Sequence, residues 1–225
     1  MAGRNLRGGT RQILIVDDHP LICRGLAQLI ENEEGLDVCG TADDINAAMN
    51  LLAKKKPDAI IVDISLKSSS GLDLIKAVTA RHPGIPMIVY SMHDESVFAE
   101  RALRAGAKGY VMKDQPPEVL IGALRKVLEG NIWFSDAILT RIVSKIAASL
   151  PAGSNQAIHS LSDRELEIFQ LIGQEFKNSR IAKKLNISVK TVEAHRDHIR
   201  KKMGVDDSME LRRIAVEWVQ RVNSE

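Results

Sequence analysis

At 225 residues the chain is long enough for two domains of ordinary size, and a composition of 44% hydrophobic and 27% charged residues with only 4% aromatics falls in the soluble globular range. It holds no apolar run of the ~18 to 20 residues that a membrane span requires, and its opening, "MAGRNLRGGT", lacks the apolar stretch of a secretion signal, so a cytoplasmic protein without a membrane segment is expected. The net charge of +2 hides an asymmetry, −3 over residues 11–130 against +7 over residues 177–202, which points to an acidic partner for one segment only.

From Gln12 to Glu129 short apolar runs alternate with helical spacing. The runs "QILIVD" (12–17), "LDVCG" (36–40), "AIIVD" (59–63), "IPMIVYS" (85–91) and "KGYVM" (108–112) are bounded by turn residues, as buried parallel strands are. The first helical segment follows Pro20, a residue suited to a first helical turn, and carries Leu21, Ile22, Leu26, Leu29 and Ile30. The repeat predicts an α/β fold, a doubly wound five-stranded parallel sheet of flavodoxin-like type. Cys23 in the first helix and Cys39 in the second strand read as small core residues rather than a disulfide. Neither the cysteines nor the pair His195 and His198 has convincing metal-site spacing.

The third run raises a chemical question, because it ends on Asp63, and a carboxylate at the end of a doubly buried strand is costly unless paired. Asp63 either caps the following loop or belongs to a site. Ligands of such sheets bind beyond the carboxyl ends of the strands. Those ends carry Asp17 and Asp18, Asp63, Ser91 and Lys113, so three acids, a hydroxyl and an ammonium converge on one rim. Clustered acids repel and raise one another's pKa values unless a cation sits among them, and a hard cation such as Mg²⁺ suits carboxylates, carbonyls and water. A phosphoryl group among the metal, Lys113 and Ser91 would be neutralised and hydrogen-bonded, and a carboxylate so placed can attack phosphorus.

The set "ILIVDDHP", "IIVDISL", "IVYSMHD" and "GYVMKD", in this order, resembles the receiver domain of bacterial two-component response regulators over roughly Gln12 to Glu129. The resemblance implies that Asp63 accepts a phosphoryl group from a sensor histidine kinase, and that Asp17, Asp18, Asp63 and the backbone carbonyl of Ser65 hold Mg²⁺. It further implies that Ser91 and Lys113 hold the phosphoryl oxygens. Tyr110 stands at the aromatic position that reports phosphorylation, or is an ordinary strand residue. Two positions depart from the pattern: Lys67 and Asp114 stand where receivers often have proline.

Beyond residue 130, "DAILTRIVSKIAASL" (136–150) has helical spacing with Ile138, Leu139, Ile142, Val143, Ile146 and Leu150, and "SLPAGSNQAIHS" (149–160) reads as a linker. The expected organisation is thus a first domain over 11–130, a connecting helix and linker over 131–160, and a small all-α domain over 161–225. In the last, Ser162 and Glu165 form a capping box ahead of Leu166, Phe169 and Ile172. A short helix over 178–185 turns at Asn186 and Ile187 into a helix that Ser188 caps and that runs to about Met203, a helix-turn-helix candidate.

On that last helix Val192, His195, Ile199 and Met203 point inward by spacing, which leaves Lys190, Thr191, Glu193, Ala194, Asp197 and Lys201 outward with Arg196 and Arg200 flanking; Lys183 on the preceding helix adds a phosphate contact. The stretch from Leu161 resembles the DNA-binding domain of the NarL/FixJ (LuxR-type) family, with "KNSRIAKKLNISVKTVEAHRDHIRKKM" its most specific part, while Glu175-Phe176 replaces a glycine-containing turn. In the last helix, 208–222, the face of Leu211, Ile214, Ala215 and Trp218 serves either dimerisation or the core.

Together these resemblances imply a non-enzymatic, phosphorylation-switched transcription factor that binds double-stranded DNA as a homodimer. Two other readings are weighed against it. One is a phosphorylation-independent regulator with the receiver as a dimerisation module. The other is a Mg²⁺-dependent aspartyl phosphatase, which needs an acid two residues after the nucleophile, where Ser65 stands.

Overall fold

The computed structural model describes residues 9–67, 69–148 and 156–222. They fall into two compact units, Met1–Leu66 with Gly71–Ser135, and Lys67–Ser70 with Asp136–Glu225.

The first unit is a five-stranded parallel sheet in the order β2-β1-β3-β4-β5. Its elements are β1 (Arg11–Val16), α1 (Pro20–Glu31), β2 (Leu36–Ala42), α2 (Ile45–Lys54), β3 (Ala59–Val62), α3 (Gly71–Arg81), β4 (Met87–Ser91), α4 (Glu95–Ala105), β5 (Gly109–Met112) and α5 (Pro117–Leu128). Because both faces are covered, β3 is buried at all four positions, which is why its sequence is continuously apolar rather than alternating. On one face Ile13, Ile15, Ile61, Ile88 and Val111 pack against α1 and α5, with Leu26, Ile30, Leu120 and Leu124 as main partners.

Local chemistry sets the helix boundaries. The side chains of Asp44 and Asp94 accept from the N–H groups of Ala47 and Ser96 and so cap α2 and α4. At the end of α4 Gly106 takes the left-handed conformation, φ 116°, which glycine adopts without a Cβ penalty.

Two expectations need correction. Leu21, read with the inner face of α1, is 79% exposed. The buried stripe is Cys23, Leu26 and Ile30, and at ~100° per residue Leu21 lies ~140° round the helix from Leu26. Cys39, expected in the core, is half-buried because β2 is an edge strand and its register on β1 slips there: Ile13 pairs with Val38 and Leu14 with Gly40, so Cys39 is the bulged residue. Both cysteines are free thiols.

The sheet does not stop at residue 130. Trp133 forms a one-residue parallel bridge with Gly109 on the outer edge of β5, so residues 131–135, assigned above to the connecting segment, belong to the sheet unit.

The second unit contains α6 (Asp136–Ala148), α7 (Gln156–His159), α8 (Asp163–Gly173), α9 (Asn178–Lys184), α10 (Val189–Met203) and α11 (Ser208–Val222). On α6 Ile138 is buried and Leu139 and Ile142 half-buried, while Leu150 and the side chains of Val143 and Ile146 lie outside the described residues. Of the segment read as linker, residues 149–155 lie outside the described residues, and 156–159 form the short helix α7.

The capping box forms: the Ser162 hydroxyl accepts from the Glu165 N–H and the Glu165 carboxylate accepts from the Ser162 N–H. Leu166, Phe169, Ile172, Ile181, Leu185, Val192 and Ile199 form the core, whereas His195 and Met203, read as inward, are half-buried.

At the departure from the family turn, Glu175 takes the left-handed conformation at φ 61°. The Phe176 N–H bonds to Leu171 O and the Glu175 N–H to Ile172 O, so a Schellman motif forms without glycine. Asn186, φ 51°, repeats the same pattern between α9 and α10.

The face of α11 is core at Leu211 and Ala215 and half-buried at Ile214 and Trp218. Trp218 lies 5.4 Å from the Phe169 ring, and a Cβ on Gly173 would stand 2.4 Å from Ala215 O, so α8 and α11 approach at glycine distance.

Candidate functional site

The strand order reverses between β1 and β3, and the carboxyl ends of those two strands, with β4 and β5, build one pocket. Asp17 follows β1 directly and Asp63 follows β3; both are buried, at 3% and 4% exposure. The loop after Asp63 returns so closely that the Gly71 N–H donates to Ile64 O at 2.6 Å, and a Cβ on Gly71 would fall 1.9 Å from Asp63 O.

Asp63 is paired across the pocket, and it also accepts weakly from the loop that follows it, through the Ser65 N–H at 3.4 Å. Its Oδ1 accepts from Ser91 Oγ at 2.7 Å and its Oδ2 from Lys113 Nζ at 2.7 Å. Lys113 also donates to Asp17 Oδ2 at 2.5 Å. Burial by itself would lower the pKa of Lys113, but Asp63 and Asp17 outweigh it and hold the ammonium above its ordinary value. The Tyr90 ring flanks Lys113, with Nζ 5.9 Å from its centre.

Asp17, Asp18, His19 and Asp63 each bring a ligand-type atom within 4.8 Å of the others. Burial, reinforced by Asp17 and Asp63 and opposed by His19 and Lys113, raises the Asp18 carboxyl above its ordinary value. Asp18 Oδ1 lies 2.8 Å from His19 Nδ1 yet accepts no hydrogen bond, which makes it a buried acceptor lacking a donor. Such an atom suits a cation, and so does the charge count of three carboxylates against one ammonium.

Ser65 is half-buried; its N–H lies 3.4 Å from Asp63 Oδ1 and its hydroxyl 2.8 Å from His93 Nε2. The Tyr110 ring is buried and its hydroxyl donates to His93 O at 2.8 Å. Of the two departures noted above, Lys67 and Asp114 are both exposed and neither takes a charged group from the pocket.

Sequence reasoning missed His19 and Tyr90. Adjacency to the Asp17-Asp18 pair and to Ser91 was the available signal, since neither has a periodic pattern of its own.

In the second unit, the outward face of α10 presents Lys190, Thr191, Glu193, Ala194, Asp197 and Lys201, all exposed, with Lys183 exposed on α9. Arg196 and Arg200 are half-buried and engaged. Arg196 Nη1 bonds to Asn178 Oδ1 at 3.3 Å, and Arg200 bonds to Asp197 Oδ1 at 2.6 Å and to Asp206 O at 3.0 Å. Arg200 is therefore not a free flanking cation. The Thr191 hydroxyl is 2.7 Å from the capping hydroxyl of Ser188. A helix so exposed, capped at its start and held by Val192 and Ile199, has the form of a groove-reading helix.

Residues 13–125 match the response regulator receiver domain, and residues 159–215 match the bacterial regulatory proteins of the luxR family. Over 204 residues, 89% of this chain and 94% of the relative, the sequence is 33% identical to the oxygen regulatory protein NreC of Staphylococcus carnosus (strain TM300). Among solved structures, the response regulator RcsB of Salmonella typhimurium aligns with a TM-score of 0.62 at 28% identity, covering 93% of this chain and 98% of that one. RcsB of Salmonella enterica serovar Typhimurium bound to promoter P1flhDC in the presence of the phosphomimetic BeF3⁻ aligns at 0.58 and 28% identity, covering 92% and 98%. The likeness runs through both units in chain order, and the chain belongs to the NarL/FixJ response regulators, transcription regulators that join a receiver domain to a LuxR-type DNA-binding domain.

Proposed function

We propose that Asp63 is the phosphoacceptor of this regulator and that its phosphorylation by a sensor histidine kinase controls DNA binding by α10. The observation that carries this reading is the pairing of both Asp63 oxygens with donors, Ser91 and Lys113, in a pocket that also holds Asp17 and Asp18. One Asp63 oxygen forms the bond to phosphorus as the phosphorus–nitrogen bond of the kinase phosphohistidine breaks, and the histidine nitrogen leaves with the electron pair.

Asp17, Asp18, Asp63 and the Ser65 carbonyl would hold Mg²⁺, which when bound neutralises charge on the phosphoryl oxygens. Lys113 and Ser91 transfer their hydrogen bonds from Asp63 to those oxygens. Ser91 thereby leaves its resting partner, and Tyr110 responds through His93, whose backbone N–H lies 3.4 Å from Ser91 Oγ. The equilibrium between inactive and active arrangements shifts accordingly.

In the active arrangement two copies engage paired half-sites of double-stranded DNA. Glu193, Ala194 and Asp197 face base edges, while Lys183, Lys190, Thr191, Arg196 and Lys201 face the backbone, joined by Arg200 where a phosphate replaces Asp197 as its partner. No helix among the described residues is long and apolar enough to cross a membrane, and a cytoplasmic site of action follows from the LuxR-type DNA-binding unit, whose target is DNA. The phosphatase reading loses support because Ser65 is bonded to His93 and no acid stands at that position.

The test is intact-mass analysis after incubation with acetyl phosphate and Mg²⁺. Wild type gains one phosphoryl group and Asp63→Asn gains none. Equal modification of both proteins would overturn the assignment.

A further inference from the structure

The segment that leaves the receiver sheet is bonded to the parts of that unit which Ser91 and Tyr110 control. The Trp133 N–H donates to Lys108 O and Trp133 O accepts from the Tyr110 N–H, each at 2.8 Å, so Trp133 adds one rung to the outer edge of β5. The two segments lie close there: a Cβ at Gly109 would stand 3.3 Å from both Trp133 Cβ and Trp133 O, a tight contact that would press on the rung. Phe134 is buried beside it, and the Ser135 N–H donates to Glu95 Oε1 at 2.9 Å. Glu95 opens α4, directly after the loop that follows Ser91 at the end of β4 and carries His93.

Tyr110 therefore has two tethers: its hydroxyl holds His93 O, and its backbone N–H holds Trp133 O. The Ser91–Glu95 loop in turn is held at Asp63 through Ser91, at Tyr110 through His93 and at Ser135 through Glu95. A movement of Ser91 toward a phosphoryl group acts on a loop whose far end is bonded to the exit segment. Asp136, the next residue, begins α6.

We propose that Trp133–Ser135 is a strap that conveys the state of Asp63 to α6, with Glu95 as the positioning residue that couples it to the loop. The coupling rests on the Asp63 reading given above, but neither Glu95 nor the strap touches the phosphoryl pocket. It operates through two arrangements of the strap rather than through a change in the chemistry at Asp63.

The experiment uses the full chain with Trp218→Phe, which leaves Trp133 as its one tryptophan. Emission of Trp133, phosphorylation of Asp63 by intact mass, and affinity for a selected DNA site at fixed salt are measured with and without acetyl phosphate and Mg²⁺. Wild type in this background shows a changed Trp133 emission and about tenfold tighter DNA binding, within the range of ordinary allosteric coupling. Glu95→Ala is phosphorylated to the same extent but tightens only about twofold, and Glu95→Gln, whose amide oxygen still accepts from Ser135, stays close to wild type. A full gain in Glu95→Ala, or a DNA gain with unchanged Trp133 emission, overturns the strap. If wild type is neither modified nor tightened, the Asp63 reading itself fails and the strap falls with it.

Discussion

Lys113 and Asp63, fifty residues apart in the chain, meet at 2.7 Å with side chains 6% and 4% exposed, and the same ammonium bonds to Asp17. In that setting the ammonium offsets two buried carboxylates, so its removal leaves both uncompensated. Lys113→Met should lower stability by about 3 kcal/mol in chelator-treated buffer. Added Mg²⁺ should recover part of the loss by neutralising the same carboxylates, a ligand effect on the folded state. Urea titration with and without Mg²⁺ reads both effects, and an unchanged midpoint in chelator would contradict this account of the pocket.

Gly71 makes the pocket possible from behind. A methyl group there would overlap Asp63 O, which is backbone and cannot rotate away. Gly71→Ala should cost about 2 to 3 kcal/mol as overpacking and should abolish phosphoryl acceptance by moving Asp63. A variant that unfolds at the wild-type urea concentration and is phosphorylated normally would show that the loop has room to give.

The rim of Asp17, Asp18, Asp63, Ser91 and Lys113 was legible because parallel strands state their ends plainly: an apolar run stops, and the next residue lies at the carboxyl edge. The strap was not, since a one-residue bridge at Trp133 has no periodicity to detect. The ties of Arg200 were half legible. Its spacing of three from Asp197 is that of a helical ion pair, but the bond to Asp206 O depends on the turn at Gly204. On α1 the apolar run was wider than the buried stripe, so Leu21 was misplaced by pattern alone.

Glu165 links stability of the DNA-binding unit to acid pH. Burial would raise its pKa, but hydrogen bonds from Lys202 and from Ser162 hold it below the ordinary 4.5. A carboxyl lowered on folding contributes stability that is complete above its unfolded value and is lost as pH falls through the folded one. In a Trp133→Phe background, melts followed by Trp218 should show wild type more stable than Glu165→Gln at neutral pH. The difference should shrink as pH drops below about 4.5, and a gap that stays constant with pH would contradict the assignment.

On the reading face of α10, Lys190 and Glu193 should separate affinity from specificity. Lys190→Ala weakens binding to all sequences and reduces the salt slope by about 1, whereas Glu193→Ala relaxes preference at one base position. Asp197→Ala should tighten binding to every duplex, because it removes a negative charge and releases Arg200 from its ion pair. Selection from a randomised site, followed by salt titrations, distinguishes these effects; unchanged base preference in Glu193→Ala would remove that residue from the reading set.

Asp63 is the proposed switch for DNA binding. The most direct measurement is affinity for a selected site at fixed salt, with and without acetyl phosphate and Mg²⁺, for wild type and Asp63→Asn. Tighter binding in wild type alone is the predicted result. Equal binding with and without the donor in fully phosphorylated wild type would contradict it, leaving a DNA-binding regulator whose acidic pocket serves another purpose.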